Sequence, residues 1–132
     1  MKADVSVIHG PGEVKGLPFS SAVRVGDLLF LSGQIGNVPG TRQLADGGIT
    51  GQTRQVLENI KEVLAFAGSS LDRAVKCTVF LADIQDFAAM NAVYATYFPK
   101  DPPARSTVAA SGLAGGARVE IECIAVARAD GR

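Results

Sequence analysis

The sequence predicts an α+β domain: a mixed sheet of about six strands with two helices on one face. Three observations lead there. The chain's 132 residues suit one domain spanning 1–132. Short apolar runs bounded by Gly, Pro and Asp read as strands. Two longer segments, set between strands, repeat their apolar residues at helical spacing.

Residues 3–9 suit a first short strand. Residues 10–20 hold three Gly and two Pro and read as a loop. Ala22-Val23-Arg24-Val25 and Leu28-Leu29-Phe30-Leu31 flank Gly26-Asp27, a hairpin pattern. Residues 36–48 are Gly-rich and read as another loop. A helix is expected from Thr50, a capping residue, to Gly68, with Val56, Ile60, Val63, Leu64 and Ala67 on its apolar side. A strand over 73–82 follows. Asp83 suits the cap of a second helix with Asp86 in its first turn, and Phe87, Met90, Tyr94, Tyr97 and Phe98 form its apolar stripe. Pro102-Pro103 stops it. Strands over 105–110 and 117–128 complete the order β-β-β-α-β-α-β-β.

The long strands are apolar on both faces. Val119, Ile121, Cys123 and Ala125 alternate with Glu120, Glu122, Ile124 and Val126, and Phe80 opposes Val79 and Leu81. Two helices cover one sheet face, so the other would expose a large apolar patch, which monomers rarely carry. Packing against further subunits is the expected remedy.

Thirteen basic residues balance thirteen acidic ones, so there is no overall basic field for nucleic acid or anionic membrane. No apolar run approaches a membrane span, and the N-terminus shows no secretory apolar core. Cys77 and Cys123 lie in apolar runs and read as reduced, buried hydrophobes. The cytoplasm is the expected compartment. His9 is the sole histidine, which disfavours a zinc site or a histidine-based triad. The Gly-rich stretches lack the ending of a phosphate loop and read as turns.

Two charged residues stand out. Arg105 leads a strand just after two prolines that stiffen its approach. It suits either a two-pronged grip on a carboxylate or a surface ion pair. Glu120 sits on a face otherwise apolar but for Glu122. It suits either a proton-transferring or water-positioning group, or a structural ion pair at a subunit contact.

Leu31-Ser32-Gly33-Gln34-Ile35, the helix Gln52 to Gly68, the run Asp86 to Tyr94, Pro103-Ala104-Arg105-Ser106-Thr107 and Val119-Glu120-Ile121-Glu122 occur in one order. Together, from about Pro18 to Ala127, they resemble the RidA/YjgF family of reactive-intermediate deaminases. The resemblance implies a chorismate-mutase-like fold and a homotrimer with sheets inward, helices outward and sites in clefts between subunits. It implies hydrolysis of enamine or imine acids such as 2-aminoacrylate to 2-keto acids and ammonia, without cofactor. Arg105 matches the residue holding the substrate carboxylate and Glu120 the one positioning water. Phe19, Ser32, Gly33, Asn91 and Thr107 match pocket positions. Phe19 replaces the family's common Tyr and loses its hydroxyl; Ser21 stands where many members have Gln. Alternatives are a small-carboxylate-binding regulatory trimer that performs no catalysis, an endoribonuclease, and a chaperone-like surface. No nucleic-acid or membrane partner is expected.

Overall fold

The computed structural model describes residues 4–128. Its strands are β1 (Val5–Ile8), β2 (Ala22–Val25), β3 (Leu28–Leu31), β4 (Gln34–Ile35), β5 (Ala74–Leu81), β6 (Ala104–Ala109) and β7 (Val119–Val126); its helices are α1 (Gly48–Phe66) and α2 (Phe87–Tyr97). The α+β expectation holds. The sheet runs β1-β2-β3-β7-β5-β6, with β4 also on β7. β5 and β6 are parallel and the other pairs antiparallel, so the sheet is mixed. The expected six strands are joined by the two-residue β4, too short to give a periodic signal.

Helix ends differ from the sequence reading in instructive ways. α1 begins at Gly48 rather than near Thr50, behind the left-handed Gly47, and no side chain caps it. Its far end is as expected: Gly68 is left-handed at φ 81, its N–H donates to the Ala65 carbonyl, and the Ser69 N–H reaches back to Leu64. Asp83 caps a short 3-10 turn over Ile84–Asp86, accepting from the Gln85 N–H at 2.9 Å, and α2 starts only after it.

Leu57, Ile60 and Leu64 of α1, with Met90 of α2, are fully buried against Val79, Leu81, Val119 and Ile121 of the sheet. Cys77 and Cys123 face one another across β5 and β7, buried and not joined by a disulfide, their thiols hydrogen-bonded to each other. Phe87 departs from the expected apolar stripe: it is exposed rather than core.

The odd residues of β7 are buried under the helices, while Glu120, Glu122, Ile124 and Val126 are not. Cross-strand register extends that second face: Leu28 pairs with Val126, Phe30 with Ile124, and Val25 with Leu28. Val25, Leu28, Phe30 and Val108 are all exposed. The two-faced pattern read from the sequence therefore leaves an open apolar sheet face on the single chain. No helix among the described residues is long and apolar enough to cross a membrane.

Candidate functional site

Register decides where Arg105 and Glu120 point. Arg105 pairs with Cys77, and Cys77 with Cys123, so Arg105 belongs to the helix-facing side of the sheet. Glu120 pairs with Phe80, and Phe80 with Val108, on the open side. Within one chain the two side chains diverge.

Arg105 is on β6, an edge strand, and reaches under α2. Its guanidinium carbon lies 4.7 Å from the Tyr94 ring centre and 5.6 Å from that of Phe87. Both rings present π-faces that hold a cation without neutralising it. Phe87, Asn91 and Tyr94 are spaced i, i+4, i+7, which sets Asn91 between the two aromatics on one helix face. Thr107, two residues along β6, shares Arg105's side of the strand. Its Oγ1 is buried with no hydrogen-bond partner, as is the Tyr94 hydroxyl. Among the described residues Arg105 forms no ion pair.

Glu120 anchors a second cluster. Its strand neighbour across β4 is Ile35. Between β3 and β4 the chain passes through Ser32 and Gly33, and Gly33 lies directly against the Glu120 carboxyl. A Cβ at Gly33 would stand 3.0 Å from Glu120 Cδ and overlap a carboxylate oxygen. Ser32 is held in place: its N–H donates to the Ser21 carbonyl at 3.0 Å, and its hydroxyl donates to the Ser20 carbonyl. Partial burial raises the Glu120 carboxyl above its ordinary value, and the nearby negative charge of Glu122 adds to this. Among the described residues Glu120 has no ion pair.

Phe19, Ser32, Gly33 and Glu120 line one cavity of about 1090 Å³. The seven expected site residues thus fall into two groups. Arg105, Asn91 and Thr107 sit around β6 and α2; Phe19, Ser32, Gly33 and Glu120 sit around the cavity. Phe87 and Tyr94, which read in the sequence as an apolar stripe, flank the guanidinium, Tyr94 from within the core and Phe87 from the surface. Their shared helical face with Asn91 was the available signal. Glu13, which lines the same cavity, carried none.

Residues 14–127 match the family model described as Endoribonuclease L-PSP. The 2-iminobutanoate/2-iminopropanoate deaminase of Mus musculus is 44% identical over 109 residues, covering 83% of this chain and 81% of its own. The crystal structure of yeast YEO7 superposes with a TM-score of 0.88 at 43% identity, covering 94% of this chain and 99% of that one. That of E. coli TdcF with bound serine gives 0.84 at 34% identity, covering 93% and 100%. The chain belongs to the Endoribonuclease L-PSP family, that of YjgF and RidA.

Proposed function

We propose that this protein is an imine deaminase whose sites form between copies of the chain, with Arg105 from one protomer facing Glu120 from its neighbour. The carrying observation is the divergence of these two residues on a chain that leaves an apolar sheet face open. A second copy on that face covers the apolar patch and brings a neighbour's β6 edge toward the cavity. A closed homotrimer does this for every protomer. The identity to a relative named an imine deaminase, and the serine bound to another, support a small amino-acid-like ligand.

In this reading the guanidinium of Arg105 takes the substrate carboxylate through two parallel hydrogen bonds, with Asn91 and Thr107 beside it. The imine carbon then lies near Glu120, across from the Phe19 ring. Glu120 accepts a proton from water as the water oxygen bonds to that carbon. The proton is returned to nitrogen, giving a carbinolamine; its hydroxyl proton then passes by way of Glu120 to the nitrogen as the C=O forms and the C–N bond breaks, and a 2-keto acid and ammonia leave. A carboxyl raised by burial is a stronger base than an ordinary exposed one, which suits it to taking a proton from water. No metal or organic cofactor takes part.

The experiment is to generate 2-aminoacrylate with a dehydratase and follow pyruvate. The protein should accelerate its appearance, and Arg105→Ala should lower kcat/KM by at least about thirtyfold through loss of charged hydrogen bonds. Unaltered kinetics in that variant would remove Arg105 from the site. Cleavage of RNA by protein that leaves 2-aminoacrylate untouched would favour the activity for which the family model is named.

A further inference from the structure

On the single chain the cavity beside Glu120 measures about 1090 Å³ and is lined well beyond the glutamate itself. Gly33, Ser32, Phe19 and Glu13, the last on the loop before β2, line it together with Glu120. We propose that Glu13 is a specificity-determining residue, and that the site takes 2-imino acids with a cationic side chain, the oxidation products of basic amino acids. This rests on the imine-deaminase reading and names its substrate class.

Glu13 is held as a fixed carboxylate. Ser21 Oγ donates to its Oε2 at 3.1 Å, and His9 Nδ1 lies 2.9 Å from its Oε1. The Gly10 N–H donates to Ser21 Oγ at 3.0 Å, which fixes the hydroxyl's direction. These bonds, that from His9 foremost, keep the Glu13 carboxyl below its ordinary value. Its side chain remains 25% exposed, so it can still meet a ligand. A short path ties it to the chemistry: the Ser21 carbonyl accepts from the Ser32 N–H, and the next residue, Gly33, packs on Glu120.

Charge along the cavity points the same way. Four carboxylates line it, those of Glu13, Glu58, Glu62 and Glu120, against the single arginine Arg42. Glu58 is already engaged by the Tyr97 hydroxyl at 2.7 Å. Leu17, Phe19 and Ile35 give the intervening wall apolar surface suited to methylenes. With the substrate carboxylate on Arg105 and its imine carbon at Glu120, a substituent leaves along this wall. An anionic tip meets repulsion there. An apolar tip strips water from Glu13 and returns nothing. A guanidinium or ammonium tip makes charge-assisted hydrogen bonds.

Arginine and citrulline provide the test, because they differ in side-chain charge and hardly in shape. Their 2-imino acids, and that of alanine, are generated in situ by an amino-acid oxidase and trapped with semicarbazide. The protein's competition with trapping gives relative kcat/KM. The arginine-derived imine should be favoured over the citrulline-derived one by roughly tenfold, and Glu13→Gln should bring that ratio near one. Equal rates for the two imines on the unaltered protein overturn the proposal, whether or not the variant folds. So does a ratio that Glu13→Gln leaves unmoved. Hydrolysis of the alanine-derived imine alone sinks the cationic preference and leaves the deaminase reading standing. Hydrolysis of none of the three sinks both.

Discussion

Arg105 and Glu120 leave the same sheet on opposite faces, the arginine running under α2 and the glutamate on the open side. No rotamer change brings them together within one chain, because strand alternation fixes the face. A site that uses both needs two copies of the protein, and most of what can be measured follows from that.

Gly33 is the tightest point of the glutamate half. Its φ does not lie in the left-handed region, so alanine suits the backbone there, yet the new Cβ occupies space held by the end of the Glu120 side chain. Gly33→Ala should fold, with a stability change under about 1 kcal/mol, since only a flexible side chain must move. Turnover should fall by about a hundredfold, because displacing a reacting group by an ångström suffices for that. Thermal melts and steady-state kinetics check the two halves separately.

On the proposed reading, the acid limb of the pH–rate profile should report on Glu120. Its carboxyl is raised by burial first and Glu122 second, and water activation needs the carboxylate form. Activity should therefore begin to fall at a pH above the ordinary carboxyl value of 4.5. Glu122→Gln removes the neighbouring negative charge, so the midpoint should move to lower pH while the burial contribution stays. A midpoint that does not move on that substitution would place the titration elsewhere.

The arginine half depends on two rings. Phe87→Ala removes the exposed one, and KM should rise several-fold with kcat changed less, since a cation–π contact is worth about 0.5–1 kcal/mol at such a site. Tyr94→Phe keeps the nearer π-face and should keep most activity. Tyr94→Leu should raise KM and also lower the melting temperature, because that side chain is buried.

Much of this was legible beforehand for a physical reason. Strand alternation in β7 and the apolar repeat of α1 are local patterns that burial writes directly into sequence, and both appear where expected. The two-residue β4 has no period to read, and the start of α1 lacks the side-chain cap that marks most helices. At the site, the candidate residues were visible through the family resemblance. Their division into two groups was not, since it depends on the parallel register of β6 on β5. Phe87 is exposed where its helical spacing reads as core, and Tyr94 is buried as expected; that both rings lie against a cation is not something spacing shows.

Assembly has its own test. Phe30 lies on the open sheet face and is 41% exposed on the single chain. Phe30→Glu puts a charge where the subunit contact is placed, and burying it unpaired costs several kcal/mol. Size-exclusion chromatography with light scattering should find a trimer for the unaltered protein and smaller species for the variant. Activity should be lost with the assembly, even though Phe30 is not among the residues lining the cavity.

Complementation between two inactive proteins tests the shared site most directly. Arg105→Ala and Glu120→Gln should each retain at most a few per cent of activity alone; co-refolded in equal amounts, they should form mixed trimers in which some clefts receive an intact arginine from one copy and an intact glutamate from another. Random assembly around a three-fold axis should restore about one quarter of the unaltered activity. Activity in the mixture no greater than in either variant alone, with mixed trimers confirmed by mass, would contradict a site built from two copies.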